Sequence, residues 1–109
     1  MKGKTIFITG ATSGIGEGCA RKFTSAGCRL ILNGRNVEKL EALKRELVLS
    51  GCEVLTLPFD VRDREAMKLA LDSLQEEWKN IDVLINNAGL VIGLDKEHEG
   101  SLDEWDVVI

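Results

Sequence analysis

Residues 9–16 read Thr9-Gly10-Ala11-Thr12-Ser13-Gly14-Ile15-Gly16 and make a glycine-rich turn. The turn follows an apolar, strand-like run over 5–8 and leads into a helix-like segment from Ile15 to about Ser25. Its three glycines keep side chains away from the mouth of the turn, so a pyrophosphate can approach the backbone closely. The first amides of a helix lack partners and its dipole favours an anion, while Thr12 and Ser13 add hydroxyls. The turn is therefore predicted to hold the pyrophosphate of a dinucleotide.

Strand-like and helix-like segments alternate beyond this turn. Apolar runs over 28–33, 52–57 and 81–85 predict three further strands. Apolar residues at helical spacing predict three buried helix faces. The first consists of Ile15, Cys19 and Phe23 with Ala20 and Ala26 beside them, the second of Val37, Leu40, Leu43 and Leu47 after an Asn36 cap, and the third of Met67, Leu71, Leu74 and Trp78 after Asp63. This alternation predicts an α/β fold, namely the first half of a Rossmann-type doubly wound parallel sheet (β-α-β-α-β-α-β) with strand order 3-2-1-4.

The C-terminal segment carries a second helix signal. The residues Ser101-Leu102-Asp103-Glu104 form a capping box, which predicts a helix with Trp105 and Val108 on one face. A fourth strand without a neighbour would expose the apolar edge Val83-Leu84-Ile85, which favours aggregation. We therefore expect residues 1–109 to be a partial domain, truncated at its C-terminal end.

Charge and composition exclude several classes of protein. A net charge of -4 argues against nucleic acid or an anionic membrane as partner, since both require a basic surface. No apolar run approaches the roughly 18 residues of a membrane span, and no signal-peptide pattern precedes the first strand. Cytoplasm is the expected location. Three cysteines without C-x-x-C spacing and a single His predict no metal site, and Cys28 and Cys52 are predicted to be buried thiols.

The end of the second strand is predicted to select the cofactor. An acid there would bind a free ribose 2′-hydroxyl and repel a 2′-phosphate. This chain has no acid at that point and has Arg35 instead, whose guanidinium can hold a phosphate through two hydrogen bonds. The sequence therefore favours NADP over NAD. The alternative is that Arg35 is a solvated surface side chain.

Two further polar elements follow the third and fourth strands. Asp60 could accept a hydrogen bond from the adenine amino group with Val61 packed nearby, or it could cap the next helix or bridge to Arg62. The sequence Asn86-Asn87-Ala88-Gly89 could contact the cofactor or close the strand end through its side-chain amides. Because the carboxyl ends of parallel strands share one edge of a sheet, all these elements are expected to meet there.

These motifs, taken together, resemble those of the short-chain dehydrogenase/reductase family. The resemblance rests on Thr9-Gly10-x-x-x-Gly14-Ile15-Gly16, on Asp60-Val61 and on Asn86-Asn87-Ala88-Gly89, in that order. The sequences from Asp60 to Arg64 and from Ile81 to Leu90, with Gly93, are also similar to those of NADP-dependent dehydrogenases of small 3-hydroxy acids such as serine.

The resemblance implies roles for individual residues. It implies that residues 10–16 hold the pyrophosphate and the adjoining ribose, and that Arg35 and Asn36 hold the 2′-phosphate. It implies adenine contacts from Asp60 and Val61, and a place for Asn87, with Ala88 and Gly89, along the ribose nearer the nicotinamide. The list of cofactor-binding candidates is thus Gly10, Thr12, Ser13, Gly14, Ile15, Gly16, Arg35, Asn36, Asp60, Val61, Asn87, Ala88 and Gly89.

The family resemblance also implies hydride transfer between NADP and a small hydroxy or oxo substrate, in a protein that forms homo-oligomers at full length. The catalytic Tyr of the family has no counterpart here, because the chain contains no Tyr. No catalytic residue is therefore assigned, and the chain alone is expected to be inactive. An alternative is a non-catalytic NADP-binding module that is complete at this length. A methyltransferase binding S-adenosylmethionine is a weaker alternative, since no acid ends the second strand.

Overall fold

A computed structural model describes residues 2–87 and 106–108 of the chain. The elements are β1 (Thr5–Thr9), α1 (Gly14–Ser25), β2 (Arg29–Gly34), α2 (Val37–Leu49), β3 (Val54–Pro58), α3 (Arg64–Asp72), α4 (Glu76–Lys79), β4 (Val83–Asn86) and β5 (Asp106–Val108). All strand pairs are parallel, in the order β3-β2-β1-β4-β5. The predicted α/β class and the order 3-2-1-4 are confirmed, and β5 adds a strand beside β4.

Both faces of the sheet are apolar. Successive side chains of the central strand, β1, belong to two different hydrophobic cores, one on each face. Phe7 of β1 lies opposite Ile31 of β2 and Leu84 of β4, and its face packs against α3. Ile6 and Ile8 belong to the opposite core, together with residues of α1 and α2. Burying each such side chain completely stabilises the fold by about 1.5–3 kcal/mol. Helices therefore cover both faces of the sheet, as parallel strands require.

The buried face of α1 differs from the predicted one. Ala20 is buried as predicted and Gly16 is buried with it, whereas Ile15 is 75% exposed and Ala26 is also exposed. A Cβ on Gly16 would lie 2.3 Å from the Gly10 carbonyl oxygen, so the helix sits almost directly on the turn. This close approach leaves room only for small residues at the contact. The larger Cys19 and Phe23 pack partly buried at its margin.

The second helix follows the prediction except at its first residue. The Asn36 side chain accepts a hydrogen bond from the Lys39 amide at 3.1 Å and caps α2, as predicted. Leu40, Leu43 and Leu47 are buried as predicted, but Val37 is 53% exposed. Val37 begins the first turn, ahead of the turns that contact the sheet.

The third helix is shorter than predicted. Asp63 accepts from the Ala66 amide and caps α3, as predicted, but the helix ends at Asp72 and a separate turn, α4, carries Trp78. The Ser73 hydroxyl donates to the Ala70 carbonyl oxygen at 2.8 Å, and the Leu74 amide bonds to Leu71 instead. A serine hydroxyl that competes for a helical carbonyl in this way favours termination.

The expected helix at the C-terminal segment is wrong for residues 106–108. These residues form β5, with Asp106 opposite Val83 and Val108 opposite Ile85. Adjacent valines favour an extended backbone, and the unpaired edge of β4 offers hydrogen bonds that a short helix cannot match. The edge of β4 is therefore paired and not exposed. The capping box over 101–104 and Trp105 lie outside the described residues.

Among the described residues, every helix is too short or too polar to span a membrane.

Candidate functional site

A cleft of about 460 Å³ opens at the carboxyl ends of β1, β2 and β3. Its walls come from the glycine-rich turn and from the segments that follow β2 and β3. The lining residues are Gly10, Thr12, Ser13, Asn33, Gly34, Arg35, Asn36, Phe59, Asp60, Val61 and Arg62. The strand order reverses at β1, whose neighbours are β2 and β4. In open α/β sheets this reversal is where ligands bind.

The glycines of the turn serve different purposes. Gly10 adopts a φ of 62°, which a side chain would strain, and it starts the turn at the end of β1. A Cβ on Gly16 would collide with the backbone of Gly10 and Ala11, so this glycine permits close packing of α1. A Cβ on Gly14 would meet nothing within 4 Å, and this position is open to a ligand. Gly10 lines the cleft and Gly14 has open space around it, whereas Gly16 is closed off by the backbone of the turn.

The start of α1 presents amide donors beside the turn. Ser13 caps the helix, because its hydroxyl oxygen accepts from the Gly16 amide at 3.1 Å. The first intrahelical bond runs from the Glu17 amide to the Ser13 carbonyl. By helix geometry the amides of Gly14 and Ile15 lie ahead of this bond and have no intrahelical acceptor. These two amides suit an anionic ligand.

Asn87 joins the end of β4 to this turn. Its side-chain amide donates to the Ser13 hydroxyl oxygen at 2.6 Å and to the Gly10 carbonyl oxygen at 3.1 Å. The preceding Asn86 is buried, and its side-chain oxygen lies 3.2 Å from the Thr9 hydroxyl. Both asparagines therefore close the strand ends, the structural role that the sequence allowed for. Ala88 and Gly89 lie outside the described residues.

Asn33 ties the ends of the other strands together. Its side chain is almost fully buried and donates to the Leu57 and Phe59 carbonyl oxygens, at 3.1 and 3.0 Å. Its own carbonyl oxygen accepts from the Ala11 amide at 2.8 Å. Asn33 thereby holds the floor of the cleft between the glycine-rich turn and the segment after β3. Sequence reasoning placed Asn33 at a strand end but missed this function; an Asn closing an apolar strand was the available signal.

The mouth of the cleft carries an ionic cluster of Arg35, Asp60 and Arg62. Asp60 Oδ2 lies 2.7 Å from Arg62 Nη2 and 3.7 Å from Arg35 Nη1. Asp60 Oδ1 also accepts from the Arg62 backbone amide at 2.9 Å. The side-chain and backbone hydrogen bonds from Arg62 hold the pKa of Asp60 at about 2, below its ordinary 3.8.

The cluster makes the mouth of the cleft positively charged, although the chain as a whole is acidic. At neutral pH two guanidinium groups face one carboxylate, whereas the whole chain has a net charge of -4. Such a local excess attracts a phosphate. The bridge from Asp60 to Arg62, one of the alternatives weighed from the sequence, is present in the structure. The cap of α3 comes from Asp63 and not from Asp60.

The structure gathers most of the candidate residues around one cleft. Gly10, Thr12, Ser13, Arg35, Asn36, Asp60 and Val61 line it. Gly16 lies buried beneath the turn and Asn87 supports it, while Ile15 is exposed at the start of α1. Besides Asn33, three lining residues were absent from the candidates. They are Gly34, where a Cβ would press on the Thr12 side chain at 3.1 Å, Phe59 and Arg62.

No cluster of three or more His, Cys, Asp or Glu side chains within residues 2–87 is placed to bind a metal ion. Cys28 and Cys52 are buried, as predicted.

Known proteins share both the sequence and the fold. An NADP-dependent 3-hydroxy acid dehydrogenase of Salmonella typhi is 46% identical over 104 residues, which cover 95% of this chain and 41% of that protein. The crystal structure of serine dehydrogenase from Escherichia coli superposes with a TM-score of 0.72 at 42% identity, over 92% of this chain and 45% of that one. A metagenomic short-chain oxidoreductase solved with NADP gives a TM-score of 0.74 at 38% identity, over 83% and 41%.

The chain spans 41% of the length of the curated 3-hydroxy acid dehydrogenases from Salmonella and Escherichia coli that it matches. The sequence profile of the short chain dehydrogenase family matches residues 4–109, which is nearly the whole chain. The chain belongs to the short chain dehydrogenase family.

Proposed function

We propose that this chain forms the NADP-holding part of an oxidoreductase that interconverts a hydroxyl and a carbonyl by hydride transfer. The observation that carries the proposal is the cleft itself, with the glycine-rich turn on one wall and two arginines at its mouth. NADP, when bound, donates or accepts the hydride. The residues of this chain bind it and orient it.

The pyrophosphate and the adjoining ribose are assigned to the turn over residues 10–16. The amides of Gly14 and Ile15 supply donors at the positive end of the α1 dipole. The hydroxyls of Thr12 and Ser13 lie on the wall of the cleft beside them. The open space at Gly14 supports this assignment, because a ligand can reach the backbone there without displacing a side chain.

The 2′-phosphate is assigned to Arg35 and Asn36. The Arg35 side chain is 70% exposed at the mouth of the cleft, so a phosphate can reach it. Asn36 uses its side-chain oxygen to cap α2, which leaves its amide nitrogen as the group that would donate to a phosphate. Charge-assisted hydrogen bonds of about 1.5–3 kcal/mol correspond to a preference for NADP over NAD of roughly 10- to 100-fold.

The adenine is assigned to Asp60 and Val61, and the ribose nearer the nicotinamide to Asn87, Ala88 and Gly89. A carboxylate oxygen has room for more than one hydrogen bond, so Asp60 could accept from the adenine amino group while Arg62 holds it. Asn87 would act through its hold on Ser13 and Gly10 as well as by contact.

The names of the relatives support the proposal of NADP as the cofactor and suggest a class of substrate. One is an NADP-dependent 3-hydroxy acid dehydrogenase, one a serine dehydrogenase and one a short-chain oxidoreductase solved with NADP. We therefore propose a small hydroxy or oxo acid as substrate of the whole enzyme, which we propose acts as a homo-oligomer. None of the residues described here is assigned to the proton transfer of that reaction.

Titration with NADP and NAD tests the cofactor assignment. Arg35→Asp should weaken NADP binding at least tenfold while changing NAD binding much less, because the new carboxylate repels only the 2′-phosphate. The matched control is Arg45→Asp, which makes the same charge change on an exposed face of α2, away from the cleft.

Equal losses of NADP and NAD in Arg35→Asp would refute the 2′-phosphate role. The alternative of a non-catalytic module is tested separately, in the longest natural form of the protein. Oxidation of serine or another 3-hydroxy acid with formation of NADPH would rule that alternative out, and tight NADP binding without any such turnover would support it.

A further inference from the structure

Arg62 holds the carboxylate that would otherwise compete for Arg35. Its Nε lies 3.1 Å from Asp60 Oδ1 and its Nη2 lies 2.7 Å from Oδ2, so the guanidinium grips both oxygens. Arg35 Nη1 stands 3.7 Å from the same Oδ2, which is too long for a hydrogen bond. Asp60 is thus hydrogen-bonded to Arg62 and only weakly attracted to Arg35.

The difference between the close Asp60–Arg62 pair and the longer Asp60–Arg35 contact affects how strongly a phosphate can bind at the mouth of the cleft. Asp60 is ionised at neutral pH. A guanidinium bonded to it has part of its charge neutralised and some of its N–H donors occupied, so it binds a second anion more weakly. A phosphate that binds Arg35 must compete with the attraction between Arg35 and Asp60. With Arg62 in place, that attraction is a single exposed ionic contact, a kind worth little in water.

We infer that Arg62 is a positioning residue, which sequesters Asp60 and so keeps Arg35 available for the 2′-phosphate of NADP. This inference rests on the proposed function. It makes the preference for NADP a property of three side chains, Arg35, Asp60 and Arg62, and not of Arg35 alone.

Without Arg62, the nearest cation to Asp60 Oδ2 within residues 2–87 is Arg35. Its guanidinium needs to move by less than 1 Å to make a direct hydrogen bond, roughly the difference between 3.7 and 2.9 Å. Arg62→Gln should therefore turn Asp60 into a competitor. The ratio of the dissociation constants for NAD and NADP should fall by about two- to fivefold, since a paired exposed guanidinium is weakened and not abolished.

The double variant Arg62→Gln with Asp60→Asn separates positioning from direct contact. If Arg62 acts by sequestering Asp60, removal of the carboxylate restores the ratio to within about twofold of the Asp60→Asn single variant, because no competitor remains. If Arg62 itself binds the phosphate, Asp60→Asn does not restore it, and the inference is overturned. Using the ratio cancels any loss of adenine contact from Asp60, which NADP and NAD share.

Two controls accompany this experiment. Arg64→Gln removes the same charge two residues away, on an exposed side chain that does not line the cleft, and should leave the ratio unchanged. Arg62→Lys keeps the charge but cannot grip both carboxylate oxygens as a planar fork, so the ratio should lie between wild type and Arg62→Gln. An unchanged ratio in Arg62→Gln would also overturn the inference.

A measurement without nucleotide keeps this inference distinct from the proposed function. In Arg62→Gln, the guanidinium protons of Arg35 should exchange with water more slowly than in wild type by NMR, because Asp60 now bonds them. Wild type that binds NADP and NAD equally would contradict the proposed function, whatever the exchange shows. Slow exchange in wild type, equal to that in the variant, would contradict the inference alone.

Discussion

The side-chain amide of Asn87 donates to the Ser13 hydroxyl oxygen at 2.6 Å, across 74 residues of sequence. Ser13 in turn accepts from the Gly16 amide and donates to the Gly10 carbonyl oxygen at 3.0 Å. The end of β4 and the start of α1 are therefore held in one hydrogen-bonded unit around the glycine-rich turn. The positions of the Gly14 and Ile15 amides depend on this unit.

Removing the Asn87 side chain should loosen the turn. Asn87→Ala deletes two hydrogen bonds to Ser13 and Gly10, each worth about 0.5–1.5 kcal/mol, so the free energy of unfolding should fall by about 1–3 kcal/mol. NADP binding should weaken as well. Urea denaturation and nucleotide titration measure the two effects. Asn80→Ala, on an exposed residue after α4, is the matched control, and equal effects from both variants would contradict the role of Asn87.

Gly16 and Gly18 should respond in opposite ways to the same substitution. A Cβ at Gly16 would lie 2.3 Å from the Gly10 carbonyl oxygen and 2.8 Å from Ala11 Cα, both backbone atoms that cannot yield easily. Gly16→Ala should destabilise the fold by about 1–3 kcal/mol. Gly18 lies in the same helix with open space around it, so Gly18→Ala should stabilise by about 0.5–1 kcal/mol. Thermal unfolding of the two variants measures both signs, and a stabilised Gly16→Ala would contradict the packing of α1 on the turn.

The Asn33 side chain should be required to hold the ends of β2 and β3 together at the floor of the cleft. Asn33→Leu keeps the volume but leaves the Leu57 and Phe59 carbonyl oxygens without their donor, at a cost of about 1–3 kcal/mol for buried polar groups. Amide exchange around the ends of β2 and β3 should accelerate more than in the rest of the sheet. A uniform acceleration throughout the sheet would indicate general destabilisation and not a local tie.

Acid should weaken the fold partly through Asp60. Its pKa is about 2 in the folded chain against 3.8 for the free side chain, so the folded state binds protons less readily there. The stabilisation from Asp60 is then fully present above pH 3.8 and is lost as pH falls towards about 2. Asp60→Asn should flatten the pH dependence of the unfolding free energy in this window. A profile parallel to that of wild type would show that Arg62 does not hold the carboxylate in solution.

The cysteines should differ in their reaction with thiol reagents. Cys28 and Cys52 are buried, and burial raises the pKa of both thiols, which lowers their thiolate fraction at neutral pH. Cys19 is only half-buried on α1. Labelling of the folded chain by a disulfide reagent should therefore modify Cys19 first, with the other two reacting only as the chain unfolds. Mass spectrometry of the labelled peptides gives the order directly, and early labelling at position 52 would contradict the packing between β2 and β3.

Local pattern was sufficient for the strands, the helix starts and the elements that gather at the sheet edge. The caps at Asn36 and Asp63 lie where short polar side chains precede periodic apolar residues, and both bonds are present. The buried leucines of α2 follow the helical period. These features depend on interactions within a few residues, which a sequence displays directly. The motif after each strand likewise marked the correct edge, because parallel topology fixes which ends meet.

The errors arose where contacts between distant segments outweighed local preference. Ile15 was predicted to face the sheet, but α1 packs so closely on the turn that Gly16 is buried there, beside the predicted Ala20, and Ile15 is exposed. Residues 106–108 were predicted to be helical, yet pairing with β4 makes them a strand.

Sequence alone thus determined the α/β alternation, the glycine-rich turn and the presence of Arg35 where an acid would reject a 2′-phosphate. Only the tertiary structure decided which partners those side chains take. It paired Asp60 with Arg62, set Arg35 at 3.7 Å from the same carboxylate and tied Asn87 to Ser13. The physical reason is distance: hydrogen bonds and ion pairs act over a few ångströms, and the separation of these groups depends on the packing of the whole sheet.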